Sequence, residues 1–248
     1  MAKLRRFAVP SLEGAAAGTE LILSPEETRH ARVLRLASGT EIELFDSHGI
    51  SARATIQADS KHGLQVFLSA VHNTTAARPK AIKLVLATAW PKGKRAAVLV
   101  EKCAELGVDE LVPVAFARSV VSKDNESEGI TRLRRIALEA SKQSGRRDVM
   151  RIASEVNFLD LLHARDESAM TLLLHPGATE QLIVPLLALP ESIARLTLIV
   201  GPEGGLSDDE LALAARAGVV KVRMAANVLR IETAALAACA ICRACLDV

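Results

Sequence analysis

Three short segments carry residue types from which chemistry can be built. The first is Leu198-Ile199-Val200-Gly201-Pro202-Glu203-Gly204-Gly205-Leu206-Ser207, an apolar run that enters a glycine-rich turn. Ser207-Asp208-Asp209-Glu210 follows as a capping box, which opens a helix by satisfying its first free amides. Glycines at the carboxyl end of a strand let backbone amides approach a ligand closely. The turn has neither the Gly-Lys-Ser/Thr of a phosphate loop nor the Gly-x-Gly-x-x-Gly of a dinucleotide site. A plain strand–helix turn is the alternative.

The second segment is Met224-Ala225-Ala226-Asn227-Val228-Leu229-Arg230-Ile231-Glu232-Thr233-Ala234-Ala235. Arg230 and Glu232 interrupt an otherwise apolar stretch, and a charge near a core must be paired or functional. The third is Leu172-Leu173-Leu174-His175-Pro176-Gly177, another strand end entering a tight turn, where a lone histidine is either structural or functional. If the three strands are neighbours, their loops converge on one crevice at the carboxyl edge of a sheet.

The elements that must position these segments follow from periodicity. Residues 81–248 alternate strand and helix. Strands are expected near 82–89, 111–115, 170–174, 196–200 and 219–224, and helices near 94–106, 132–143, 208–217 and 233–246. Gly107 serves as a helix stop. Such alternation predicts an α/β domain with a mostly parallel sheet covered on both faces. Residues 1–72 read instead as a small β-barrel, with short alternating runs at 6–9, 41–45, 52–56 and 64–71 and a hairpin turn at Asp46-Ser47-His48-Gly49. Ser24-Pro25-Glu26-Glu27 starts one helix, expected to carry Arg29, His30, Arg32 and Arg35. The polar stretch 73–80, ending Arg78-Pro79-Lys80, is the expected linker.

Composition narrows the classes. The 248 residues carry a net charge of +2, so no strong global field announces a nucleic-acid partner. One Trp, five Phe and no Tyr leave few rings for stacking on bases. RNA contact would have to come from local basic patches: Arg6, Arg29, His30, Arg32 and Arg35; Lys92, Lys94 and Arg95; Arg132, Arg134, Arg135, Lys142, Arg146 and Arg147. The apolar runs are too short for a membrane span, and Pro10 and Glu13 end Phe7-Ala8-Val9 too early for a secretory signal. A cytoplasmic protein is the expectation. Cys239, Cys242 and Cys245, at helical spacing, cover an arc of about 120°, one buried stripe. A metal or cluster site would need a further ligand that does not follow.

Gly201-Pro202-Glu203-Gly204-Gly205 followed by Leu229-Arg230-x-Glu232-Thr233-Ala234 resembles the paired signature of the small-subunit ribosomal RNA methyltransferase E family, a SPOUT family. The likeness extends to Lys102-x-x-Glu105-Leu106-Gly107-Val108, to Glu139-Ala140 with Gln143-Ser144-x-Arg146, and to His30 with Val33-Leu34-Arg35. This sequence departs from the family's pattern at Ala225-Ala226, where Leu-Gly is usual, and at Met150, near a customary proline.

The resemblance implies a PUA-like β-barrel followed by an α/β SPOUT domain with a C-terminal trefoil knot, working as a homodimer. It implies S-adenosylmethionine held largely by backbone, at Leu174, His175, Gly201, Pro202, Gly204, Met224, Ala226, Val228 and Leu229, beside Thr233 and Ala234. The implied reaction methylates N3 of a uridine in small-subunit ribosomal RNA without a metal. Arg230 would then stabilise the developing uracil anion and Glu232 would orient it or accept the proton; alternatively these two pair with each other to pin the knot. Two other readings remain open: ribose 2′-O methylation, and a non-catalytic RNA-binding protein of ribosome assembly. A redox role for the cysteines is a third.

Overall fold

The computed structural model describes residues 4–46, 50–73, 82–91, 93–119, 126–146, 148–164 and 168–246. The chain forms two units, Met1–Pro79 with Ser141–Val149, and Lys80–Ala140 with Met150–Val248.

The first unit contains β1 (Arg5–Ala8), β2 (Glu20–Ile22), α1 (Pro25–Val33), β3 (Glu41–Phe45), β4 (Ile50–Ser60) and β5 (Gly63–Asn73). The strands form one sheet in the order β1-β3-β4-β5-β2, with β1 parallel to β3 and the other pairs antiparallel. Alternation does what it predicts. Ile42 and Leu44, Ala52, Ala54 and Ile56, and Leu64, Val66 and Leu68 share one buried cluster with Phe7, Leu12 and Leu23. Register shifts at Arg53/Ala54 and Ile56/Ala58 bend the long β4–β5 hairpin. Asp46 is buried and accepts from the amides of Leu12 and Ile50, each at 2.9 Å; the rest of the expected turn, 47–49, lies outside the described residues. β5 takes in His72 and Asn73, and 74–80 of the expected linker also lie outside them.

Ser24 caps α1, its Oγ accepting from the Glu27 amide at 3.2 Å. The helix is shorter than the sequence suggested. It stops at Val33, and Arg35 lies beyond its end at φ 53, with the Leu36 amide bonded back to Ala31 O. That six-to-one closure needs a left-handed residue, which here is an arginine instead of glycine. Arg29, His30 and Arg32 therefore ride on the helix and Arg35 does not.

The second unit contains β6 (Lys83–Thr88), α2 (Lys94–Glu105), β7 (Glu110–Ala115), α3 (Glu126–Ser144, whose end from Ser141 belongs to the first unit), β8 (Arg151–Ile152), β9 (Val156–Asn157), α4 (Phe158–His163), β10 (Ala169–Leu174), α5 (Ile183–Leu187), β11 (Arg195–Val200), α6 (Asp208–Arg216), β12 (Val220–Val222) and α7 (Ile231–Leu246). Its sheet runs β12-β10-β11-β6-β7-β8, with β9 paired to β7, and every pairing is parallel. Strands such as Leu172-Leu173-Leu174 and Leu198-Ile199-Val200 are apolar throughout because helices cover both faces. α7 packs on β6 and β11, and α2 on α7, while α4 packs on β7 and α6. The four six-residue strands and the four longer helices stand where alternation expects them, while the strand expected at 219–224 is only Val220–Val222. The two-residue strands β8 and β9 and the short α4 and α5 are too brief to generate a period.

Cys103, Cys239 and Cys242 are fully buried where α2 meets α7, and Cys245 is half-buried. A hydrogen bond with Cys103 and burial both push the Cys239 thiol's pKa up, and burial does the same to Cys242. Among the described residues, no group of His, Cys, Asp or Glu could hold a metal, and no helix is long and apolar enough to cross a membrane.

Candidate functional site

The three segments singled out in the sequence leave adjacent strands at one level. Leu174 pairs with Val200 on one side and Val222 on the other, and Val200 pairs with Thr88 of β6. The His175 amide donates to Val222 O at 2.9 Å and the Ala89 amide to Val200 O at 3.0 Å. Because all the strands run the same way, their carboxyl ends share one edge of the sheet. The loops 223–230, 175–177 and 201–207 start side by side there, followed by Ala89-Trp90-Pro91.

The glycine-rich turn is tight for identifiable reasons. A Cβ on Gly201 would fall well inside 3.0 Å of Leu206 Cδ1, and one on Gly204 would meet Arg118 Cβ at 3.3 Å. The Gly205 amide donates to Pro202 O at 2.9 Å, with Gly205 at φ 69. The predicted capping box is complete: Glu210 N donates to Ser207 Oγ at 3.2 Å, and Ser207 N to Glu210 Oε2 at 2.7 Å. Glu210 is buried, and its Oε1 accepts from the Ala117 amide at 2.8 Å. Arg118 donates to Gly204 O at 3.2 Å and Leu206 O at 3.3 Å. The loop after β7 thus clamps the loop after β11. The capping motif revealed Glu210 as a helix starter only; nothing in the sequence pointed to Arg118.

In the last loop Ala225, Ala226, Asn227 and Val228 are exposed, while Met224 and Leu229 are half-buried. None of these residues has a positive φ, so Ala225-Ala226 stand where the family usually has Leu-Gly without backbone strain. Arg230 is exposed, and its carbonyl accepts from the Ala234 amide as α7 begins. Thr233 is exposed and Ala234 half-buried.

Glu232 is the unusual residue of this edge. Its side chain is only 15% exposed and lies in the first turn of α7, where the helix dipole favours a negative charge. One oxygen, Oε1, lies 3.7 Å from Arg95 NH1. The other, Oε2, is buried without a hydrogen-bond partner. The expected alternative of an Arg230–Glu232 pair does not form among the described residues, because Glu232 turns to the first turn of α2 and Arg230 to solvent.

His175 is half-buried, and its Nδ1 accepts from the Gly177 amide at 3.1 Å. Burial and the nearby Lys221 charge lower its pKa. Both effects favour the neutral ring, and acceptance at Nδ1 leaves Nε2 to carry the proton of that form.

The residues expected to meet RNA are dispersed. Arg29 is exposed on α1. Beside it His30 Nδ1 lies 3.6 Å from Glu27 Oε2, and Arg32 is bound at the surface by Asp59. Arg6 is buried, paired with Glu43 at 3.0 Å and stacked 4.3 Å over the Phe45 ring. Arg146 pairs with Asp148, and its carbonyl accepts from Arg6. It lies past the end of α3, and Lys142, on the last turn, is buried against Glu27. Lys94 is exposed; Lys92 and Arg147 lie outside the described residues.

A cavity of about 460 Å³ lies elsewhere in this unit, on a sheet face between β7, β10, β11 and α4. It is lined by residues such as Val112, Thr171, Thr197, Ile199 and Leu161 and by none of the predicted site residues.

Comparison with known proteins agrees with this geometry. Residues 78–243 match the family described as RNA methyltransferase domain, and residues 23–69 the one described as RNA methyltransferase PUA domain. Ribosomal RNA small subunit methyltransferase E of Mycobacterium bovis is 31% identical over 228 residues, 89% of this chain and 85% of that protein. The Bacillus subtilis protein of the same name is 30% identical, covering 86% of each. The crystal structure of a ribosomal RNA small subunit methyltransferase E from Neisseria gonorrhoeae bound to S-adenosyl methionine superimposes with a TM-score of 0.83 at 26% identity, covering 96% of each chain. A methyltransferase of Legionella pneumophila in complex with the cofactor SAM gives 0.81 at 28% identity over 98% of each. The architecture is accordingly a PUA-like N-terminal domain and a SPOUT-type methyltransferase domain. By matches that run through both units, this chain belongs to the ribosomal RNA small subunit methyltransferase E family of RNA methyltransferases.

Proposed function

We propose that the chain transfers the methyl group of S-adenosylmethionine to N3 of a uridine in small-subunit ribosomal RNA. The observation that carries this reading is the partnerless buried oxygen of Glu232 at an edge where three strand ends stand level. The names of the relatives support the substrate, and the cofactor-bound solved structures support the cofactor.

The residues fit such a cofactor. Leu174, His175, the Gly201–Gly204 turn, Met224 to Leu229, Thr233 and Ala234 would hold it, mostly through backbone groups, on a turn whose tightness depends on glycine at 201 against Leu206 and at 204 against Arg118. When bound, the cofactor supplies an electrophilic methyl group on a sulfonium. Uridine N3 carries a proton at neutral pH, and the nitrogen must lose it to become a nucleophile. Glu232 Oε2 is the acceptor for that proton. Arg230, two residues away and exposed, meets the negative charge that spreads over the uracil oxygens.

Exposed Arg29, Lys94 and Arg132 supply phosphate contacts, and the reaction runs in the cytoplasm, where ribosomes are built. The functional unit is a homodimer. Exposed apolar residues on α5 (Val184 at 50% and Leu187 at 78%) and Val228 at 80% support a covered surface.

The test is methyl transfer onto small ribosomal subunits lacking the modification, with the product nucleoside identified. The expected product is 3-methyluridine. A 2′-O-methylated nucleoside would establish the ribose reading, and failure to bind S-adenosylmethionine by calorimetry would leave a non-catalytic assembly protein.

A further inference from the structure

Arg95 belongs to the first turn of α2, and one of its nitrogens, NH1, serves two carboxylates. It lies 3.2 Å from Glu203 Oε1 and 3.7 Å from Glu232 Oε1. Glu203 is part of the glycine-rich turn after β11, and Glu232 opens α7. One cation from a third element therefore joins the two segments of the site that are furthest apart in their sequence roles, the cofactor turn and the acid–base residue.

The two contacts differ in environment. Glu203 is 56% exposed, so its pairing is a screened surface contact of small energetic weight. Glu232 is 15% exposed, and its alternatives are few: Oε1 has Arg95, while Oε2 is buried with no partner. A carboxyl group is planar and rigid. At 3.7 Å the guanidinium attracts Oε1 without a hydrogen bond, and an Oε1 drawn toward Arg95 leaves Oε2 directed away from it. Removing Arg95 would leave Glu203 and Glu232, both within 4 Å of the same nitrogen, facing each other without a cation.

We propose that Arg95 is a positioning residue for methyl transfer: it anchors one oxygen of Glu232 so that the other is presented to the imide proton of the uracil, and it ties the Glu203 turn to the start of α7. The proximity of Arg95 in sequence to Lys92 and Lys94 suggests a phosphate-binding patch, and its ion pairs assign it a different job. The inference rests on the reading of Glu232 as proton acceptor.

The test is single-turnover methyl transfer at saturating S-adenosylmethionine and small-subunit substrate. It uses Arg95→Ala, Arg95→Lys, Glu232→Gln and the double variant Arg95→Ala/Glu232→Gln, with cofactor affinity and Tm measured on each. Arg95→Ala is expected to slow the chemical step by about 10-fold or more. Its cofactor Kd should stay within about 3-fold and its Tm close to that of the parent, since the two ion pairs removed share a partly exposed guanidinium and are screened by solvent. Arg95→Lys should recover a large part of the rate, because an ammonium still reaches one carboxylate. In the Glu232→Gln background, Arg95→Ala should cost nothing further, as expected of residues acting as one unit.

A full rate for Arg95→Ala beside a slow Glu232→Gln overturns this proposal alone. A full rate for Glu232→Gln overturns the reading beneath it. A loss confined to the substrate KM, growing with salt, or an undiminished loss in the double variant, makes Arg95 a phosphate contact and also overturns the proposal.

Discussion

Gly201 sits so close to Leu206 that its α-hydrogen marks the position where a methyl group would strike the leucine's Cδ1. Leu206 is 7% exposed and is backed by the core of the second unit, so it cannot simply swing away. Gly201→Ala is therefore expected to cost about 1–3 kcal/mol by overpacking and to weaken S-adenosylmethionine binding as the turn shifts. Leu206→Ala alone should also destabilise. The double variant should lose less than the two single losses added, because the smaller side chain makes room for the methyl. Denaturant titration and calorimetry on the three variants check this.

Lys142 and Glu27 form an ion pair in the first unit whose side chains are 5% and 4% exposed. Glu27→Ala removes the carboxylate opposite a buried ammonium and is expected to destabilise by about 3–5 kcal/mol. Replacing both residues with Met and Leu should recover most of that loss, since the dehydration of the two charges disappears with their attraction. Urea unfolding of the full chain measures both. A Glu27→Ala variant as stable as the parent would show that the pair contributes nothing.

Burial and Lys221 lower the pKa of His175, so the folded chain takes up this proton less readily than the unfolded chain. The sign follows: stability from this source is complete above the ordinary value of 6.5 and is lost as pH falls through the lower folded value. His175→Asn keeps an acceptor near the Gly177 amide and cannot titrate. Its Tm should fall less steeply than that of the parent between pH 6.5 and about pH 5. Parallel curves over that window would contradict the assignment.

The thiols give a direct test of the α2–α7 core. Cys103, Cys239 and Cys242 are buried, and their surroundings push the Cys239 and Cys242 thiols up, so little thiolate exists at neutral pH. Of the four cysteines, only Cys245 should react promptly with a thiol reagent in the native protein, and all four after denaturation. Prompt reaction of any of the other three would contradict their burial between α2 and α7. The same result bears on the redox reading, which needs accessible thiols.

What the sequence determined by itself was everything local or periodic. Runs such as Leu198-Ile199-Val200 and Leu172-Leu173-Leu174 are apolar at every position, and that pattern belongs to a strand covered on both faces. Ser24 and Ser207 announced their helices because capping is a contact over three residues, and the structure forms both caps. The signature residues around Gly201 and Arg230 were legible because the turn chemistry is written in consecutive positions. Tertiary structure decided the rest. Whether β10, β11 and β12 would be neighbours depended on strand order, which no local period encodes. Arg95 and Arg118 look like any other surface arginines until the fold sets them beside Glu203, Glu232 and Gly204, contacts that span 86 to 137 positions of chain. Arg6 and Lys142 read as phosphate ligands, yet folding buried both, because their stems pack and carboxylates from distant segments meet their charges. Charge is a property of a residue, but whether that charge faces solvent, substrate or a partner carboxylate depends on long-range packing, and packing is settled only when the whole chain has folded.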